Sequence, residues 1–79
     1  MKTVDATDGE IRFTAHWSGQ DRYVFIPDPY VSDDAGYAVS REEAIAYVRE
    51  HLERYRREAH AQQGDDNPEK IVILKRPPR

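Results

Sequence analysis

From Glu10 to Trp17 apolar and polar positions alternate, with Ile11, Phe13, Ala15 and Trp17 in one phase and Arg12, Thr14 and His16 in the other. A period of two predicts a strand with one face buried. Ser18-Gly19-Gln20-Asp21 supplies turn residues, and Arg22 to Ile26 is rich in β-branched and aromatic side chains, so the two runs are expected to form an antiparallel hairpin. Pro27 and Pro29 lack amide donors and should end the second strand at Ile26. Gly36 permits a sharp reversal, and Tyr37-Ala38-Val39 is long enough for a short third strand.

At Ser40 the period changes. Ser40-Arg41-Glu42-Glu43 has the S-x-x-E spacing in which serine and glutamate satisfy each other's free amides, so a helix should begin at Arg41. Ile45, Val48, Leu52, Tyr55 and Ala59 then recur at steps of three and four, widened by Ala44 and Tyr47, and form one apolar stripe. Arg49/Glu53, Glu50/Arg54 and Glu53/Arg57 stand four apart on the outer side, where opposite charges support a helix. Gly64 suits the position after the last helical turn, and Asp65-Asp66-Asn67-Pro68 bars continuation. Ile71 to Lys75 reads as a final strand. The expected fold is α+β: a small antiparallel sheet in the order β-β-β-α-β, with one helix packed on one face.

At 79 residues and 38% hydrophobic content the chain suits one domain, over residues 10–75, with 1–9 and 76–79 expected to be flexible. It contains no apolar run near the roughly 20 residues that span a bilayer and no signal-peptide pattern at Met1-Lys2-Thr3-Val4-Asp5, so a soluble cytoplasmic location is expected. The absence of cysteine excludes disulfides and thiolate chemistry, and leaves packing or a homodimer to supply stability.

Charge divides the chain. Residues 1–43 hold nine acids against four bases, a net −5, whereas residues 44–79 hold eight bases against six acids, a net +2. Such asymmetry bears on association. It does not point to catalysis: Asp33 and Asp34 adjoin in a loop with no apolar anchor to desolvate either, and Ser18, Ser32 and Ser40 have turn or cap roles. His51 and His60 are nine residues apart, on opposite sides of the predicted helix, so no metal-ligand spacing survives and no cofactor is expected.

Two surfaces remain. Asp28, Asp33, Asp34, Glu42 and Glu43 could stand near one another and present carboxylates as a phosphate backbone does, with Tyr30 and Tyr37 as aromatic anchors. Arg54, Arg56, Arg57, Lys75, Arg76 and Arg79 offer the opposite surface, a nucleic-acid contact, although Glu50, Glu53 and Glu58 lie beside these arginines.

Phe13-Thr14-Ala15, Tyr23-Val24-Phe25-Ile26-Pro27-Asp28, Ser40-Arg41-Glu42-Glu43-Ala44 and Asn67-Pro68 fall in an order that resembles the HicB-type antitoxin domain over residues 10 to about 75. Pro29-Tyr30 replaces the family's proline-glycine, and the C-terminal DNA-binding module of many members has no counterpart. The resemblance implies a non-enzymatic protein that blocks a nucleic-acid-handling partner, typically a small basic RNase toxin. A lone acidic domain of this kind is also similar to phage inhibitors of bacterial defence, anti-CRISPR proteins among them. The expectation is therefore an inhibitor that contacts a basic partner, either a toxin RNase or a CRISPR effector subunit, through Asp28, Tyr30, Asp33, Asp34, Tyr37 and Glu42.

Overall fold

A computed structural model describes residues 4–75. β1 (Val4–Thr7), β2 (Glu10–Trp17) and β3 (Gln20–Pro27) form an antiparallel meander, and β4 (Ile71–Ile73) lies beside β3. Three helices intervene between β3 and β4: α1 (Asp28–Ala35), α2 (Arg41–Glu50) and α3 (Leu52–Gln63). The α+β class stands, with a sheet that is mixed where an antiparallel one was expected. β4 runs parallel to β3 because the helical crossover of residues 28–70 returns the chain to the end of the sheet at which β3 begins.

The β2–β3 turn is the tight hairpin the sequence predicted. Ser18 and Gly19 both take positive φ, 52° and 77°, which matches the twist of the flanking strands. Val4–Thr7, expected to fray, is instead an edge strand. Asp8-Gly9 closes a second two-residue turn, pairing Thr7 with Glu10 and Val4 with Phe13 and burying Val4 beside α2.

Two further expectations fail for identifiable reasons. Residues Tyr37–Val39 form no strand, and the segment before them is helical. Pro27 and Pro29 end the strand, as read, but they also open α1: Pro27 is its N-cap and Pro29 lies in its first turn, where a helix leaves its amides unpaired in any case. Gly36 terminates α1 at φ 86°, its amide donating to the Ser32 carbonyl at 2.9 Å, and the Val39 amide donates to Ser32 Oγ at 3.3 Å.

The single helix expected from Arg41 is bent at His51 into α2 and α3. The His51 amide divides its hydrogen bond between the carbonyls of Tyr47 (3.0 Å) and Val48 (3.2 Å), and its ring Nδ1 lies 2.9 Å from the same Tyr47 oxygen. A side chain competing for a helical carbonyl is a recognised cause of bending. The N-terminal box forms as predicted: the Glu43 amide donates to Ser40 Oγ at 3.2 Å, and the Ser40 amide donates to Glu43 Oε1 at 3.0 Å. These bonds, the one from the Ser40 backbone foremost, hold the Glu43 carboxyl below its usual pKa. Gly64 caps α3 at φ 81°. Arg56 pairs with Glu53 within α3, and Arg54 makes a longer-range pair with Asp34.

All three helices cover one side of the sheet. Ile11, Phe13, Ala15, Trp17, Val24, Ile26 and Val72 point into the core, where they meet Val31, Ala44, Val48, Tyr55 and Ala59. The opposite side carries no covering element among the described residues. None of the described helices is long and apolar enough to cross a membrane.

Ser40→Ala removes the side-chain half of the α2 cap and should lower unfolding free energy by about 1 kcal/mol. A urea titration followed by circular dichroism measures it, and an unchanged midpoint would show that the box adds no stability.

Candidate functional site

The six residues assigned to partner contact divide into two groups. Asp33, Tyr37 and Glu42 are exposed, Tyr37 by 55%. Asp28 is half-buried at the start of α1, where its amide donates to the Gly9 carbonyl at 2.9 Å. Tyr30 and Asp34 face inward. Tyr30 is only 9% exposed, and its ring packs 6.2 Å from that of Tyr55. It fills the core under α1 and is not an external anchor.

Asp34 performs a structural task. Its Oδ2 accepts from the buried Tyr55 hydroxyl at 2.7 Å and from Arg54 Nη2 at 3.0 Å, and its carbonyl accepts from the Tyr47 hydroxyl at 3.2 Å. One aspartate at the end of α1 thus receives donors from both α2 and α3. The Arg54 guanidinium also lies 4.8 Å from the centre of the Tyr55 ring. Burial first, and the Asp34 carboxylate second, push the Tyr55 hydroxyl well above the usual tyrosine pKa.

The acidic shoulder is the first turn of α2 with exposed Glu42 and Glu43; Tyr37 is exposed in the connector before it, and Asp33 is exposed in the last turn of α1. The Tyr37 hydroxyl donates to Glu43 Oε2 at 3.4 Å, bringing the aromatic ring to the carboxylates of that turn. Arg41, the one base of this turn, lies 3.9 Å from Asp8, which adds the β1–β2 turn to the same end of the molecule. Asp8-Gly9 is a hairpin signal that places Asp8 in a turn and not in a loose end.

Two of the six residues of the basic surface are held in ion pairs. Arg54 holds Asp34, and Arg56 Nε donates to Glu53 at 3.0 Å. Arg57 borders an open groove with His60, Ala61, Gly64 and Asp65. Lys75 is exposed, while Arg76 and Arg79 lie outside the described residues.

A second polar assembly, centred on Arg22, has no sequence signature. Arg22 shares the phase of Val24 and Ile26 on β3 and is 1% exposed. Its Nη1 donates to the carbonyls of Asn67 (2.6 Å) and Glu69 (3.0 Å), and its guanidinium lies 5.0 Å from the Trp17 ring centre. His60 stacks on Trp17 at 5.1 Å and pairs with Asp65, which also accepts from Ser18 Oγ at 3.3 Å. The His60 hydrogen bond and charge hold the Asp65 carboxyl below its usual pKa. This assembly anchors the loop between α3 and β4. The alternation of β3 gives the phase of Arg22 and not its acceptors.

Comparisons of the chain with family models, curated proteins and solved structures return no match.

Asp34→Ala leaves the buried Tyr55 hydroxyl without its acceptor and should cost about 1–3 kcal/mol in a denaturant titration. A loss within about 0.5 kcal/mol, as at an ordinary surface site, would remove the structural role. Because the folded pKa of Tyr55 is raised above the ordinary value of 10.0, its contribution is intact below that pH and is lost as pH climbs beyond it. An alkaline titration followed by tyrosinate absorbance should show one of the five tyrosines ionising only together with unfolding. Five tyrosines titrating as one class in the folded protein would contradict it.

Proposed function

We propose that this chain is a non-enzymatic, protein-binding inhibitor whose acidic shoulder occupies a basic surface that otherwise handles nucleic acid. The observation that carries the reading is the division of charge along the chain: residues 1–43 carry a net −5, and Asp33 and Glu42 of that half are exposed. An acidic surface of this kind favours a cationic partner.

The surroundings support the same reading. Glu42 and Glu43 stand in the first turn of α2, and exposed Tyr37 lies against Glu43. The scaffold beneath is held by the α2 cap, the Gly36 turn and the Asp34 link, so a partner would not have to order it. Preorganised charge raises the rate of encounter, and an aromatic ring supplies area that can be desolvated. The resemblance to HicB-type antitoxin domains and to small phage inhibitors favours a toxin RNase or a CRISPR effector subunit as the target, in the cytoplasm.

The informative variant is Asp33→Lys/Glu42→Lys, which reverses exposed charge and spares Asp34. Purified protein should inhibit cleavage by a member of a panel of basic RNase toxins and CRISPR effectors. The variant should lose affinity by at least about tenfold, and its binding should depend less on salt than that of the wild type. Equal inhibition by the two proteins would defeat the proposal. Direct binding of RNA by the wild type with a steep salt dependence, and no inhibition, would favour the arginine-bearing surface instead.

A further inference from the structure

Asp8-Gly9 is the one place in the chain where an acidic residue precedes a glycine. The two residues form the turn between β1 and β2, flanked by the register pair Thr7 and Glu10. In a two-residue hairpin loop the flanking strands take the ladder hydrogen bonds, so the sheet makes no use of the Gly9 amide. The Asp8 side chain is fully exposed, and its ion pair with Arg41 is long at 3.9 Å. Gly9 has φ 75°, and the space that a Cβ would enter there holds no atom within 4 Å. An open carboxyl beside an uncrowded amide nitrogen supplies both reactants of an intramolecular ring closure.

We propose that Asp8-Gly9 is a site of spontaneous backbone isomerisation, and that the change releases β1 from the sheet. The Gly9 nitrogen attacks Asp8 Cγ. An N–Cγ bond forms, the Cγ–OH bond of the uncharged carboxyl breaks, and the amide proton leaves with that hydroxyl as water. A second water molecule then opens the five-membered succinimide. Entry at Cγ restores aspartate. Entry at the α-carbonyl yields isoaspartate, in which the chain runs through Cβ and Cγ and the former backbone carbonyl is a free carboxylate. The two steps release one water and take one up, and they need no oxidant or reductant.

The surroundings of the other candidates single out Asp8. Asp28 and Asn67 precede proline, whose nitrogen carries no hydrogen to lose. Asp33 and Asp34 would need the nitrogens of Asp34 and Ala35, which lie beyond the first four of α1 and belong to its hydrogen-bond ladder. Asp5, Asp21, Asp65 and Asp66 precede residues whose side chains crowd the attacking nitrogen. The consequence for β1 follows from register. Loop length sets which residues of a hairpin face each other, and isoaspartate adds one carbon to the backbone of the loop. Thr7 then no longer meets Glu10, and buried Val4 loses its place opposite Phe13. β1 is four residues long at the edge of the sheet, so no second strand holds it.

The test is ageing of the full, folded chain in warm, mildly acidic buffer. Protein L-isoaspartate carboxyl methyltransferase reads the product, because it methylates the carboxylate that isomerisation frees. Aged wild type should accept methyl groups at Asp8, located by peptide fragmentation, with its mass unchanged apart from a fraction one water lighter. Asp8→Glu keeps the charge but would have to close a six-membered ring, and should lose this acceptance. Asp33→Lys/Glu42→Lys should age as the wild type does, which separates the reaction from the inhibitory surface. In the isomerised form, isolated by chromatography, hydrogen exchange should find the ladder amides of β1 unprotected and those between β2 and β3 protected. An aged wild type that accepts no methyl groups would overturn the proposal, as would acceptance that Asp8→Glu retains. Acceptance that develops in urea but not in the folded chain would also overturn it, because the turn would then be holding the two groups apart. An isomerised chain whose β1 amides stay protected would refute the release of the strand.

Discussion

The helical layer depends on a buried hydroxyl meeting a carboxylate. Tyr55 is fully enclosed, and its oxygen needs an acceptor that the apolar core cannot supply. Asp34 supplies it from the end of α1, a helix of eight residues with little intrinsic stability. Without that bond, α1 would be held to the domain mainly by Tyr30 and Val31. With it, the last turn of α1, the connector and the opening of α2 share one geometry, and the exposed carboxylates on either side of Asp34 inherit its rigidity.

The molecule has a second polar anchor at the opposite end of its sheet. Arg22 gathers the carbonyls of the α3–β4 loop, while Trp17 and His60 stack over the turn that joins β2 to β3. The two anchors bracket the crossover and explain how a short chain without disulfides brings a three-residue strand back in parallel to β3. They also separate its surfaces. The acidic groups belong to the helical side, whereas exposed Tyr23, Ile71 and Ile73 belong to the bare side of the sheet, and neither requires the other to move.

Much of this was legible in the chain because it followed local rules. The alternation of β2, the Ser40–Glu43 box, the Gly64 cap and the burial of Val48, Tyr55 and Ala59 each depend on residues a few positions apart. The errors arose where one residue serves two ends. Proline stops a strand and starts a helix by the same missing amide, so Pro27 and Pro29 were read for what they end and not for what they begin. The inward turn of Asp34 was invisible because its partner stands 21 positions away in α3. The burial of Arg22 was not legible because its acceptors are loop carbonyls, which have no sequence signature. Of the candidate surface, Asp33, Tyr37 and Glu42 keep the exposure expected of them, and Tyr30 and Asp34 belong to the interior.

The Gln62 amide offers one donor and one acceptor side by side, the same pair a peptide group presents, and it covers the Ile73 carbonyl and the Lys75 amide at the C-terminal end of β4. That arrangement sets a chemical clock. Slow deamidation would turn the donor nitrogen into an oxygen facing the Ile73 carbonyl, and the rim would open with a lone pair against a lone pair. Hydrolysis of this one side chain would then leave the Ile73 carbonyl unpaired at the edge of the sheet.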